Sequence, residues 1–455
     1  MVAIRQITPR DGDVMILVGT TKGAFLLRSN AARRRWEMGG PHFAGQKIHA
    51  LALDQRGGIR RMYAGGSSDH FGPVFYMSDD LGATWSDRER AAVRFPEDAG
   101  ASLARIWQIV PGREDEPGKL YCGVEPAALF ESNDAGETWS LVRGLWDHPH
   151  RAQWQPGGGG LCLHTVIPDP VHRGRMFVAV STGGVYRTDD GGATWQARNH
   201  GVRAEFMPNK HPEFGQCVHK IVQHPTFPER LFLQNHWGLY RSEDAAESWQ
   251  DIANGVPSDF GFAMTMHPHD PETVYIVPIE SDGFRCTPDG KLRVYRTCDA
   301  GRSWEPLTRG LPQEHALETI LRDGMDADAL NPAGIYFGTR SGKVYGSPDG
   351  GASWSTIADG LPPVLCVKAV VVGDPLKVRV PKPAARTAQA RGRTKPKART
   401  KAKPRVKAKP RVKPKSRTKA KPRAKAKPRV KARPRAEAAR RPKAKTSRGA
   451  KRKPR

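Results

Sequence analysis

Short apolar runs alternate with turns rich in glycine, aspartate and proline over residues 14–372. One stretch shows the arrangement clearly: apolar-rich segments cover residues 161–167, 175–180 and 184–187, and another starts at Trp195. Runs that are rich in β-branched and aromatic residues and bounded by turn formers are typical of β-strands. The pattern predicts an all-β protein built from modules of about four strands each.

An eight-residue motif, Ser/Thr-x-Asp-x-Gly-x-Thr/Ser-Trp, recurs with small changes six times, and a degenerate copy at residues 29–36 keeps its first and last residues. The tryptophans that end the seven copies lie 49 to 56 residues apart: Trp36, Trp85, Trp139, Trp195, Trp249, Trp304 and Trp354. One copy per four-stranded module predicts a seven-bladed β-propeller. Residues 14–18 lack an inner strand before them and residues 364–372 lack strands after them. We therefore expect the two ends to complete one shared blade and close the ring.

The residue types of this octet suit a tight turn between two strands. The Asp and Ser/Thr oxygens can accept hydrogen bonds from turn amides, Gly supplies a positive φ, and Trp anchors the next strand. In blade 5, Ala246 replaces this Gly, which predicts a looser turn. We interpret the aspartates of the octets as structural: Asp80, Asp134, Asp190, Asp244, Asp299 and Asp349.

The octet resembles the Asp box of BNR-repeat proteins, and the resemblance covers residues 14–372. Proteins of this kind include sialidases and xyloglucan-cleaving enzymes, and many similar bacterial chains are labelled sialidase-like or glycosyl hydrolases. The resemblance implies a propeller that binds, and in the enzymes hydrolyses, a carbohydrate-like ligand. The arginine triad and Tyr–Glu pair of a sialidase are not identified in this sequence. The photosystem II assembly factors are seven-bladed non-enzymatic relatives, so a scaffold for protein partners is the alternative.

Charge divides the chain into two parts. Residues 381–455 contain 34 Lys and Arg, one acidic residue (Glu437) and no aromatic residue, whereas residues 1–380 contain 40 basic and 45 acidic residues. The basic part repeats proline-containing hexads and resembles the tails of linker histones, which predicts a disordered segment after a propeller at 1–380. Such a tail can neutralise phosphates but cannot stack on bases, so we expect salt-sensitive, sequence-independent binding of nucleic acid or another polyanion.

Three further expectations follow from composition. The first residues show no secretory signal, and no apolar run has the ~20 residues of a membrane helix, which predicts a cytoplasmic protein, nucleoid-associated through its tail. The cysteines form no C-x-x-C pair, so we expect reduced and mostly buried thiols. We expect the propeller to be monomeric.

The inner strands of a propeller line its axis, and aligning them on the turn that follows gives one equivalent position per blade: His49, Arg105, His164, His219, Phe262, Glu318 and Lys368. Most of these residues are polar, which indicates either a solvated channel or a binding site around the axis. The loops on the same face add further candidate ligand-binding residues: Arg151, Trp154, Asn235, His236 and Trp237. A small polar or glycan-like ligand at the axial mouth is the hypothesis.

Two kinds of chemistry are open to these residues. His164, His219 and His236, with Glu125 or Glu318 as a carboxylate, could hold a divalent metal such as zinc, iron or manganese. Alternatively, they are hydrogen-bonded histidines of the channel wall. Glu125 and Glu318 are the candidate catalytic pair, because a glycosidase needs two carboxylates roughly 5–10 Å apart.

Overall fold

The computed structural model of the chain describes residues 4–70, 72–87 and 93–381. These residues form seven four-stranded antiparallel sheets, which are the blades of a propeller, as the repeats predict. The first strand of each blade contacts the first strands of the two neighbouring blades, so the ring is closed. The predicted basic tail lies outside the described residues except for Pro381.

Within each blade the first strand lies at the axis and the other three follow in order outward. Blade 1 consists of Val364–Val371, Val14–Thr20, Gly23–Ser29 and Glu37–His42. Blade 2 consists of Lys47–Asp54, Arg61–Ser68, Gly72–Ser78 and Ser86–Asp87. Blade 3 consists of Arg105–Pro111, Leu120–Glu125, Ala128–Ser132 and Ser140–Leu141. Blade 4 consists of Leu163–Pro168, Met176–Val180, Gly184–Thr188 and Gln196–Ala197.

The other three blades follow the same order. Blade 5 consists of Val218–His224, Phe227–Asn235, Leu239–Ser242 and Gln250–Asp251. Blade 6 consists of Gly261–Met266, Val274–Pro278, Val294–Thr297 and Glu305–Leu307. Blade 7 consists of Met325–Ala327, Ile335–Gly338, Val344–Ser347 and Ser355–Ala358. The helical segments are single turns: α-helical Arg143–Trp146, and 3-10 segments Arg56–Gly58, Glu97–Ala99, Pro149–Gln153, Pro288–Gly290 and Pro375–Lys377. No helix within the described ranges has the length and apolar character needed to cross a membrane.

Blade 1 joins the two ends of the propeller, which confirms the predicted closure. Val14–Thr20 pairs antiparallel with Val364–Val371 over its whole length. Arg33, from the degenerate octet of this blade, is buried and donates two 3.0 Å hydrogen bonds to Asp328 of blade 7. A buried guanidinium requires such pairing, because leaving either charge unpaired in the interior costs several kcal/mol. The two ends of the propeller are therefore joined by strand pairing within blade 1, and an ion pair joins blade 1 to blade 7.

The octets form turns held by the side chains that the motif specifies. In blade 2, Ser78 Oγ accepts from the N–H of Gly82, and Asp80 accepts from the N–H and the hydroxyl of Thr84. In blade 5, the N–H of Ala246 donates to Ser242 Oγ at 2.8 Å, the same distance as at Gly82. Ala246 adopts a φ of 68°, so the expectation of a looser turn is wrong. The hydrogen bonds that Ser242 and Asp244 accept within the turn are kept, and the alanine adopts a left-handed conformation.

Candidate functional site

The inner strands carry β-bulges, and these decide which side chains reach the axis. In each of six blades the ladder between the first two strands skips at least one residue near the mouth of the ring. A bulged residue leaves the ladder and turns its side chain out of the regular alternation. The skipped positions are His49, Trp107, His164, His219, Phe262 with Ala263, and Leu365.

This pattern corrects the sequence alignment in three blades. In blade 3 the equivalent residue is Trp107 and not Arg105, and in blade 1 it is Leu365 and not Lys368. Glu318 lies outside the inner strand of blade 7, which begins only at Met325. The sequence around Glu318 resembles a strand because it contains apolar residues. One of them, Ile320, packs into the core between blades 6 and 7.

A buried ion pair joins blade 5 to the segment that enters blade 7. Lys220 Nζ of blade 5 lies 2.5 Å from Asp323 Oδ1 at the entry to blade 7, and both residues are buried. Beside them, the guanidinium of Arg322 lies 5.3 Å from the ring centroid of Trp107. Buried charges are tolerated when they are paired in this way. The pair therefore links the two blades on either side of blade 6.

The side chain of His164 links blade 4 to blade 5 through a hydrogen bond. Its Nε2 lies 2.9 Å from the carbonyl oxygen of Val218 in blade 5, and its Nδ1 lies 3.0 Å from Thr165 Oγ1. Burial lowers the pKa of His164 well below its ordinary value of 6.5, so the ring is neutral. Nε2 donates its proton to the carbonyl, and the one lone pair, on Nδ1, accepts from the Thr165 hydroxyl, so none is left for the metal that the sequence suggested. His49 is also neutral, because burial, assisted by Arg105, lowers its pKa to about 3.

A cavity of about 550 Å³ opens beside the axis, over blades 4 to 6. Its walls come from the loops that enter these blades and from the loops between their second and third strands. Four phenylalanines supply much of the apolar wall: Phe206, Phe214, Phe260 and Phe262. The glycine-rich segment that contains residues 157–159 forms another side and exposes its backbone to the cavity. A concave, mostly apolar site with a few polar groups is the usual form of a ligand pocket.

The polar side of the cavity carries charge. Arg285 Nη2 lies 2.6 Å from Asp282 Oδ1, and this pairing holds the pKa of Asp282 below its usual range. The guanidinium of Arg285 also lies 5.3 Å from the ring centroid of Phe262. Arg322 and the amides of Gln153 and Gln155 are further lining groups. The cavity therefore combines flat apolar surfaces with hydrogen-bond donors and acceptors.

Three potential metal ligands meet in the wall of the same cavity. One donor atom each from Cys217, His219 and His236 lies within 4.8 Å of the others. His219 Nδ1 is 2.6 Å from the carbonyl oxygen of Gly261, and its Nε2 is 3.7 Å from Cys217 Sγ. Burial lowers the pKa of His219 well below 6.5, and burial likewise lowers the pKa of His236.

Glu125 and Glu318, the proposed catalytic pair, have different surroundings. Glu125 Oε2 accepts from Trp107 Nε1 at 3.1 Å and pairs with Arg105 Nη1 at 3.2 Å. Glu318 Oε1 accepts from Ser341 Oγ at 2.6 Å. Within the described ranges no side chain contacts both carboxylates, and neither lines the cavity. Their catalytic role stays a prediction.

The other loop residues that were predicted to bind the ligand do not line the cavity and contact other parts of the protein. Trp154 is buried and donates its indole N–H to Tyr186 at 2.9 Å, and Arg151 stacks on Trp146. The side chain of Asn235 is buried and donates to the carbonyl oxygen of Arg203. Trp237 packs between Phe206 and His236, with ring centroids 5.2 and 4.2 Å away. Of this predicted set, His219 and His236 alone are among the described lining residues.

Several lining residues were missed by the sequence analysis. Asp282 and Arg285 lie in the long segment between Val274–Pro278 and Val294–Thr297 of blade 6. Blades 4 and 5 span the same connection with three residues each. The unusual length of this segment was the available signal, since long loops in a compact fold are often functional. Nothing in the local sequence singled out Arg322 or Cys217.

The fold and cavity define a seven-bladed propeller with a ligand-sized pocket beside its axis. Known proteins share part of its sequence and its fold. The chain is 26% identical over 271 residues to a probable oligoxyloglucan-reducing end-specific xyloglucanase of Neosartorya fischeri, covering 52% of this chain and 31% of that protein. It thus spans about a third of that relative's length. No family model matches the chain.

Two solved structures share the fold. The GH74 enzyme of Niastella koreensis superimposes with a TM-score of 0.51 at 17% identity, over 77% of this chain and 53% of that one. A protein from Lactobacillus plantarum superimposes with a TM-score of 0.52 at 15% identity, over 78% of this chain and 99% of that one. The chain is therefore similar in sequence to part of a xyloglucanase, and it shares its fold with these two structures.

Proposed function

We propose that the protein binds an oligosaccharide in the cavity over blades 4 to 6. Sugar rings present C–H faces, which pack on aromatic rings, and hydroxyl edges, which need hydrogen-bonding partners. The phenylalanine wall and the Asp282–Arg285 pair beside it provide both kinds of surface within about 550 Å³. This juxtaposition carries the proposal, and the sequence similarity to xyloglucanases supports it.

The proposal concerns binding rather than hydrolysis by the cavity's own side chains. Asp282 is the one carboxylate among the described lining residues, and Arg285 holds it as an ion pair. A glycosidase of the usual kind uses two carboxylates, one of which must carry a proton at working pH. The lowered pKa of Asp282 makes it unsuited to that proton-donating role.

A titration with xyloglucan oligosaccharides tests the proposal on the full chain. Phe206 is 52% exposed and lines the cavity, whereas Phe227 is 42% exposed and lies outside the lining. Removing the Phe206 ring should weaken binding roughly five- to tenfold in isothermal titration calorimetry, since an aromatic contact contributes about 1 kcal/mol. The matched control Phe227→Ala should bind like the unaltered protein. Equal affinities of the two variants, or no binding of any oligosaccharide in a panel that includes xyloglucan and cello-oligosaccharides, would contradict the proposal.

A second proposal rests on sequence and concerns residues 382–455, which lie outside the described residues. We infer that this segment binds nucleic acid or another polyanion without sequence preference, because of its 34 Lys and Arg with a single acid over residues 381–455. Truncation after Pro381 should abolish retention on a DNA column at low salt and leave the melting temperature nearly unchanged. Retention of the truncated propeller at the same salt concentration would contradict it. The cytoplasmic location expected from the sequence stays a prediction.

A further inference from the structure

Cys217, His219 and His236 bring a thiol and two imidazoles to one point on the cavity wall. Cys217 and His219 flank the start of the inner strand of blade 5, and His236 follows the end of the second strand. The hydrogen bond from the N–H of His236 to the carbonyl oxygen of Cys217, 2.9 Å long, fixes the two backbones side by side. The cluster is therefore positioned by the sheet itself, at the end of a strand ladder.

The spacing of the donor atoms is close to that of a tetrahedral metal site. With Zn–S near 2.3 Å and Zn–N near 2.0 Å, a sulfur and a nitrogen ligand of one ion lie roughly 3.5 Å apart. Cys217 Sγ and His219 Nε2 lie 3.7 Å apart, and His236 completes a set whose donor atoms are all within 4.8 Å of each other. Small side-chain adjustments would bring the third ligand to the same ion.

His219 is already oriented as a metal ligand. Its Nδ1 faces the carbonyl oxygen of Gly261 at 2.6 Å, and a carbonyl can only accept, so the proton is on Nδ1. The lone pair is then on Nε2, the atom that faces Cys217. A ring whose second nitrogen donates to a backbone carbonyl is the usual arrangement of a metal-binding histidine.

The charges around the cluster also suit a cation. Asp282 Oδ2 lies 3.9 Å from His236 Nε2, where a carboxylate would balance a bound divalent ion. All three donor residues line the cavity, so an ion held by them would be reachable from the ligand space. Sets that combine one thiolate with two imidazoles favour Zn²⁺ and related borderline-soft ions over Mg²⁺ or Ca²⁺.

We propose that Cys217 Sγ, His219 Nε2 and a ring nitrogen of His236 form a three-ligand site for a Zn²⁺-like divalent ion, with the remaining coordination position open to the cavity. The site differs from the histidine set suggested by the sequence, because Cys217 takes the place of His164. It is independent of oligosaccharide binding, so either proposal can fail alone.

Blade 4 supplies a matched control. Cys162 and His164 repeat the Cys-x-His order of Cys217 and His219 one blade earlier. Ser181 donates its backbone N–H to the carbonyl oxygen of Cys162, as His236 does to that of Cys217, so serine stands where blade 5 has its third ligand. Both nitrogens of His164 are already hydrogen-bonded.

The experiment uses the full chain, stripped with a chelator and titrated with Zn²⁺ or Co²⁺ alone. The unaltered protein should bind one ion per chain, and the Co²⁺ form should show a thiolate-to-metal charge-transfer band. Cys217→Ser should remove the band, and Cys217→Ser and His236→Ala should each weaken binding about 100-fold or more. Cys162→Ser should keep both the band and the affinity. Circular dichroism and melting curves establish that each variant is folded.

Three outcomes would overturn the proposal. In the first, the folded, unaltered protein takes up no stoichiometric ion. In the second, it does so, but Cys217→Ser and His236→Ala bind with unchanged affinity, which would place the ion at other residues. Loss of the band in Cys162→Ser but not in Cys217→Ser would move the site to blade 4 and would also overturn it.

Discussion

Blades 4 and 5 contain the same short sequence at the same point, and the structure uses it in two ways. Cys-x-His spans the start of each inner strand, and in each the histidine is the bulged residue. In blade 4 the ring of His164 joins its own strand to blade 5 through Val218. In blade 5 the ring of His219 turns its other nitrogen towards blade 6 and leaves Nε2 facing Cys217.

The residue after each histidine accounts for this difference. Thr165 offers a hydroxyl to His164 Nδ1, which leaves Nε2 to reach the neighbouring blade. Lys220 offers no such group, because its ammonium is paired with Asp323 near the axis. His219 therefore satisfies Nδ1 with the Gly261 carbonyl, and a lone pair remains on the cavity side. The role of a repeated motif in a propeller is set by its neighbours, not by the motif itself.

Among the variants that test this comparison of blades 4 and 5, the largest loss of stability is expected at His164. We expect His164→Ala to lower the free energy of unfolding by about 2–4 kcal/mol, because it leaves a cavity and the Val218 carbonyl without its partner. His236→Ala, whose ring is partly exposed in the cavity wall, should cost less than about 1 kcal/mol in metal-free protein. Guanidinium unfolding followed by tryptophan fluorescence, with chelator present, measures both.

The two variants control each other because each removes one imidazole from the same face of the propeller. Equal losses of stability would contradict the distinction between a histidine that joins blades and one that faces a ligand space. A His164→Ala protein that stays fully stable would show that the contact to Val218 contributes little.

The sequence predicted the fold well because each octet marks one blade independently of the others. Spacing between tryptophans fixed the number of blades, and the unmatched apolar ends fixed the closure. The candidate site was predicted less well, since it depends on single-residue bulges. Counting back from the following turn found the bulged residue at His49, His164, His219 and Phe262, but in blade 3 it selected Arg105, two residues before the bulged Trp107.

Long-range contacts account for the other differences. Arg322 and Asp323 reach the axis from a loop that resembles a strand in sequence, and their partners lie in blades 3 and 5. Cys217 was expected to be a buried thiol, and only the return of the second strand brings His236 beside it. Such contacts join residues from different turns and blades, and no local pattern encodes them.

The smallest expected changes in stability concern the octet turns of the same two blades. Gly192 of blade 4 and Ala246 of blade 5 occupy the same turn position, with φ values of 101° and 68°. An L-residue with positive φ is strained by about 1 kcal/mol, which glycine avoids. Gly192→Ala should therefore destabilise the protein by about 1–2 kcal/mol, the more so because its new Cβ would lie 3.0 Å from Val142 Cγ1.

Ala246→Gly should have the opposite sign and a smaller size, stabilising the protein by a few tenths of a kcal/mol. The relief of strain is offset by the greater freedom of glycine in the unfolded chain and by the lost contacts of a methyl group that is fully buried. Thermal melts of both variants beside the unaltered protein measure the two shifts. If Ala246→Gly lowers the melting temperature as Gly192→Ala does, packing of the alanine methyl outweighs its backbone strain. Alanine at this turn position of blade 5 would then stabilise the folded protein on balance, because the packing of its methyl group exceeds the strain of its backbone.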